Sequence, residues 1–166
     1  MKRAFLFAFL ASPAIAQEPD RSWMLTEVRG CFENADSVDG MAACEYQTAE
    51  KCQITEAGGL SNLGMTACIW SEYEAWDVLL NEQYRAAISS FEKIDGDSAD
   101  LGPADSNRAE TLRVAQRAWI AYRDAECANE TAYFGSGSMR LPVGASCYLG
   151  EVSERTIELW AKRGLE

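Results

Sequence analysis

An all-α fold, a disulfide-stapled helical bundle with two long antiparallel helices, is predicted by three observations. Apolar residues recur at helical spacing through two long segments. Six cysteines, an even number, occur in a chain whose first residues read as an export signal. No segment shows the sustained period-two alternation of a half-buried strand.

The chain opens MKRAFLFAFLASPAIAQEPD. Lys2 and Arg3 form a basic start, Ala4 to Ala11 a short apolar core, and Ala14-Ile15-Ala16 an A-x-A cleavage site. Residues 1–16 are therefore expected to be a signal peptide, with Gln17 the first residue of a periplasmic or secreted product. The apolar run falls short of the roughly 20 residues that span a bilayer. No Cys follows the cleavage site to carry a lipid, and no later stretch is apolar enough to span. The 150 residues that remain suit one domain with a real core.

Net charge is −11, and −13 without Lys2 and Arg3. Such a surface repels nucleic acid and anionic lipid and steers basic partners inward. Solubility alone would also account for it. The chain has no His, which removes c-type haem attachment, His-containing zinc sites and every Ser-His or Cys-His catalytic arrangement. No CxxC is present, and a zinc site made of Cys alone does not suit an oxidising compartment. No cofactor is expected. Cys31, Cys44, Cys52, Cys68, Cys127 and Cys147 are read as three disulfides. Fifteen pairings are open in principle. The preferred set is Cys31–Cys44, Cys52–Cys68 and Cys127–Cys147, because each closes a local loop.

A first helix is expected over about Ser22 to Phe32, with Trp23 and Val28 inward. A second covers about Val38 to Ile54, with Met41, Cys44, Ala49 and Cys52 along one face, and Gly58-Gly59 then breaks the chain. The strongest signal runs from Asn62 to Ile94. Ile69, Tyr73, Trp76, Leu80, Tyr84, Ala87, Phe91 and Ile94 advance by three or four, and Ser61 or Asn62 can cap the start. Glu72, Glu74, Glu82, Arg85 and Glu92 are placed on the opposite face. A loop is expected over Asp95–Asp105. A second long helix follows from about Ala104 to Thr131, with Leu112, Ala115, Trp119 and Tyr122 marking its face. Tyr133–Gly144 reads as an ordered loop, and a last helix covers about Ala145 to Lys162, with Leu149, Val152, Thr156, Leu159 and Trp160 inward.

Glu72, Glu74 and Asp77 sit within six residues on the long helix, and Glu74 and Asp77, three apart, could approach closely enough for glycosidase-type chemistry. Helix spacing of this kind also arises on solvated faces. Asp77 can instead pair with Arg123 across two antiparallel helices and fix their register, since a buried charge needs a partner. Gly135-Ser136-Gly137-Ser138 follows a helix and matches no phosphate-binding glycine motif.

Cys68 opens the pattern C-x7-W-D-x2-L-N-x2-Y, carrying Trp76, Asp77, Leu80, Asn81 and Tyr84. The run AQRAWIAYRDAEC follows from Ala115 to Cys127, holding Gln116, Trp119, Arg123 and Asp124; the GSGS loop (Gly135 to Ser138), Cys147 and RTIEL (Arg155 to Leu159) complete the set. Over about residues 52–160 the chain resembles the lysozyme inhibitor LprI-like family of exported bacterial proteins. On that reading residues 17–51 are an N-terminal helical extension and residues 52–166 the LprI-like domain. The resemblance implies an all-helical, disulfide-bonded domain and inhibition of lysozyme, and brings no catalytic residues. Its motif residues Trp76, Asp77, Asn81, Tyr84, Gln116, Trp119, Arg123 and Asp124 are read as structural.

The expected function is a non-catalytic exported binding protein acting on a basic partner such as lysozyme. Ser136, Ser138 and Arg140 of the Tyr133–Gly144 loop would be offered to carboxylates in the enzyme's cleft. A structural or envelope-stress protein with another periplasmic partner is the alternative, and a carboxylate-based hydrolase a third reading.

Overall fold

The computed structural model describes residues 19–98, 102 and 107–163. The expected signal peptide lies outside them, as does most of the expected Asp95–Asp105 loop. Among the described residues the chain forms six helices and no strand: α1 (Trp23–Asn34), α2 (Val38–Ala42), α3 (Gln47–Thr55), α4 (Asn62–Asp97), α5 (Arg108–Tyr133) and α6 (Arg140–Arg163). None is long and apolar enough to cross a membrane.

α4 is the spine. It starts where Ser61 Oγ accepts the Gly64 N–H, which satisfies one of the open donors of the first turn. Gly58, at φ +77°, turns the chain into it, and a Cβ on Gly64 would lie 2.1 Å from the Gly58 carbonyl oxygen. α5 returns antiparallel to α4, as Arg113–Glu92 and Arg108–Asp95 pairs show at one end. Asp95, expected in a loop, is still helical; its carboxylate accepts the backbone N–H of Arg108 (3.0 Å) and Ala109 (2.9 Å) and so caps α5 from its neighbour. α6 runs back along α5 and lies against α4 in the largest helix–helix interface.

The core is continuous. Trp76 and Leu79 of α4, Leu149, Val152 and Leu159 of α6, and Met24, Val28 and Phe32 of α1 belong to one buried cluster. Phe32 meets the Trp76 ring edge-on at 5.9 Å. Trp23, expected inward, packs at the margin, and Met24 takes the buried position.

Several expected faces shift. The single second helix is two, because Tyr46 adopts a left-handed φ of +67° between α2 and α3. On α5 the inward row is Ala109, Leu112, Gln116, Trp119, Arg123 and Cys127, whereas Ala115 is exposed and Tyr122 is 55 % exposed. Apolar character misled here, since the helix turns polar Gln116 and Arg123 inward. Trp160 likewise is 37 % exposed at the end of α6. The disulfides join Cys31–Cys44, Cys52–Cys68 and Cys127–Cys147, the set selected by the local-loop argument.

Candidate functional site

Glu72, placed by its sequence on the polar face of α4, is fully buried. Its Oε1 accepts the Tyr46 N–H (2.7 Å) and the Trp76 Nε1–H (3.2 Å); its Oε2 accepts the Thr48 hydroxyl (2.8 Å) and the Ala49 N–H (2.6 Å). Two of those donors belong to the first turn of α3, where an anion meets open N–H groups and the positive end of the helix dipole. The same contacts hold Tyr46 in its left-handed conformation, helped by its hydroxyl donating to the Ser146 carbonyl (2.9 Å). The signal was present in the chain: Glu72 stands three residues after Ile69 and four before Trp76, in phase with buried positions.

The motif residues converge on the α4–α5 interface. Trp76 lies beneath it, fully buried, while Asp77, Asn81, Tyr84, Gln116, Trp119 and Arg123 line a groove of about 300 Å³, with Arg113 and Arg117. Arg123 does not bridge to Asp77. Its Nε and Nη2 donate to Asp124 Oδ1 at 3.0 and 2.7 Å, and its guanidinium stacks on Trp119 (5.2 Å) and Tyr148 (5.5 Å). Trp70 and Tyr73 of α4 complete that aromatic shelf, so the planar cation is held on ring faces of α5 and α6 instead of by the Asp77 carboxylate. Burial pushes the Tyr73 phenol up, with Arg123 opposing. Asp77 accepts from Asn81 Nδ2 at 3.0 Å. Gln116 Oε1 accepts from Arg155 Nε at 2.9 Å, and the buried Arg155 keeps one nitrogen, Nη2, without a partner.

The expected Tyr133–Gly144 loop is a short turn. α5 runs to Tyr133 and α6 begins at Arg140, with Pro142 in its first turn, where a missing N–H costs nothing. Ser136, Ser138 and Arg140 are all exposed, and Ser138 Oγ accepts from Asn62 Nδ2 at 2.7 Å. Tyr133, 89 % exposed, leans edge-on against Phe134. Behind the turn the Cys127–Cys147 disulfide ties the two helices, and a Cβ on Gly144 would lie 2.5 Å from Thr131 Oγ1.

Beside this turn, Glu126, Glu130, Glu151 and Glu154 line a groove of about 410 Å³ between α5 and α6. Glu126 and Glu151 raise the affinity of the Tyr122 phenol for its proton. Glu45 reaches α6 at Ser153, whose hydroxyl donates to it, and burial raises its carboxyl above the ordinary value.

The carboxylates proposed for hydrolysis do not share a cleft. Glu72 is enclosed, Glu74 faces a cavity against Leu25 of α1, and Asp77 faces the α4–α5 groove. Cys52, Cys68 and Glu56 lie close together, but the sulfurs are bonded to each other and Arg21 holds Glu56, so they form no ligand set.

Residues 52–159 match the family described as Lysozyme inhibitor LprI. An uncharacterized protein of Rhizobium meliloti is 34 % identical over 102 residues, 60 % of this chain and 72 % of that protein. The uncharacterized protein YecT of Escherichia coli is 28 % identical over 104 residues, 60 % of this chain and 63 % of that protein. No solved structure matches. The match spans α4, α5 and nearly all of α6 and includes the whole set of groove-lining residues, and on it the chain belongs to the lysozyme inhibitor LprI family.

Proposed function

We propose that this chain is an exported, non-catalytic inhibitor of lysozyme-type wall hydrolases, and that the α5–α6 turn is the part that meets the enzyme. One observation carries the reading beyond family membership: an exposed turn bearing Ser136, Ser138 and Arg140 is clamped at its base by a disulfide. A turn held in one shape loses little conformational entropy on binding. Arg140 can present two parallel N–H groups to a carboxylate, and the serine hydroxyls can donate beside it. The acidic remainder of the molecule draws a basic enzyme inward and speeds encounter.

The test is inhibition of wall lysis by the oxidised protein, titrated against several lysozyme types at low and physiological salt. Stoichiometric inhibition that weakens with salt is expected. Arg140→Ala should weaken it about tenfold or more, the worth of one charge-assisted hydrogen-bond set. Full inhibition by Arg140→Ala rejects the turn as the contact, and no inhibition of any type rejects the inhibitor reading.

A further inference from the structure

We infer that the groove between α4 and α5 binds a small ligand carrying one carboxylate together with an amide or hydroxyl group, the chemistry shared by N-acyl amino acids and N-acyl amino-sugar acids. The inference stands apart from lysozyme inhibition.

A purely architectural role for the motif would leave its polar groups satisfied by one another across the interface. They are not. Asp77 and Arg123, the pair suited to fix register, are turned to other partners. Gln116 spends its carbonyl oxygen on Arg155, which leaves its Nε2 amino group with no protein acceptor among the described residues. Asn81 spends its amino group on the Asp77 carboxylate and backbone carbonyl, which leaves its Oδ1. The Tyr84 hydroxyl and Arg123 Nη1 likewise have no protein partner among the described residues. Donors and acceptors therefore converge on a space of about 300 Å³ also lined by the apolar Leu80, Trp119 and Ile120, the usual constitution of a small-molecule site.

The charge of the lining sets the ligand class. In a chain of net charge −11, this groove holds three arginines against one aspartate. Arg113 and Arg117 are tied to Glu92 and Glu110 by exposed ion pairs. Exposed pairs of that kind contribute little, so a carboxylate able to engage an arginine fork displaces them readily. Asp77 repels a second negative charge and accepts from an N–H or O–H, which selects a monoanion bearing a donor over phosphate.

The test uses the full oxidised chain, labelled with ¹⁵N. It is titrated with N-acetyl-alanine, with N-acetylmuramic acid, with the methyl ester of each and with inorganic phosphate. Saturable shifts of the Trp119 indole N–H and the Gln116 side-chain amide are expected at millimolar concentrations with at least one free acid, and none with its ester. Which acid binds distinguishes the amino-acid source from the sugar source. Arg117→Ala, at an exposed position, and Arg123→Lys, which keeps the charge but loses the fork, should each weaken binding about tenfold. The proposal is overturned if neither acid gives saturable shifts, if esters or phosphate bind as well as the acids, or if both variants bind as the parent does.

Discussion

Glu72 and Glu45 show how far a side chain's role depends on what surrounds it. Glu72 is enclosed by four donors, so it is held as an acceptor on both oxygens. Glu72→Gln swaps one oxygen for an amino group facing donors, and should cost about 2–4 kcal/mol of unfolding free energy by urea titration. Glu45 has one hydroxyl donor, from Ser153; burial first, then the nearby Glu154 and Glu72, raise its carboxyl. Its folded pKa lies above the unfolded one, so the native state binds the extra proton in that window. Stability therefore falls as pH rises from the ordinary carboxylate value through the folded one. Glu45→Gln should stabilise at neutral pH by less than about 1 kcal/mol, since the half-exposed group is screened. That gain should vanish below the ordinary carboxylate range. An equal effect of Glu45→Gln at both pH values would contradict the assignment.

At the scale of elements, the two long helices were legible because their repeats extend over many turns. α4 carries its apolar row through Ile69, Trp76, Leu80 and Ala87. α5 was legible as a helix but not in its phase. Its inward row includes Gln116 and Arg123, whose polar heads are accommodated by Arg155 of α6 and by the rings of Trp119 on α5 itself and Tyr148 on α6. The break at Tyr46 has no local signal of Gly or Pro, because the left-handed turn is stabilised from α4 and α6. The α5–α6 turn owes its shape to the Cys127–Cys147 disulfide, which closes a span of 20 residues. Replacing both cysteines by Ala should cost about 3 kcal/mol in denaturant unfolding, by the entropy of a loop that long. The far-ultraviolet helical signal should persist, since the helices pack along their whole length.

On the scale of the molecule, the family match begins at residue 52, but the core does not. Met24, Val28, Phe32 and Met41 precede it, are each nearly inaccessible, and belong to the same cluster as Trp76 and Leu159. Side chains of this size contribute roughly 1.5–3 kcal/mol apiece when buried. Four of them amount to much of the roughly 5–15 kcal/mol that separates a folded domain from its unfolded state. A chain truncated to residues 52–163 should therefore lose cooperative thermal unfolding, and the helices before residue 52 should melt together with α4 and α6 in the longer chain. Separate transitions, or a well-dispersed spectrum from the truncated chain, would show two independent units.

Helix class, the two long elements and the family follow from local pattern, in period and short motifs; the spacing of the cysteines only favoured one of fifteen pairings, the set that the structure shows. These depend on residues near one another in the chain. The tertiary structure alone decided that Glu72 is enclosed, that Arg123 turns from Asp77 to an aromatic shelf, and that the motif lines a groove. Each of those outcomes depends on the competition between partners brought together from different helices, and a helical period states which residues share a face without stating what that face meets.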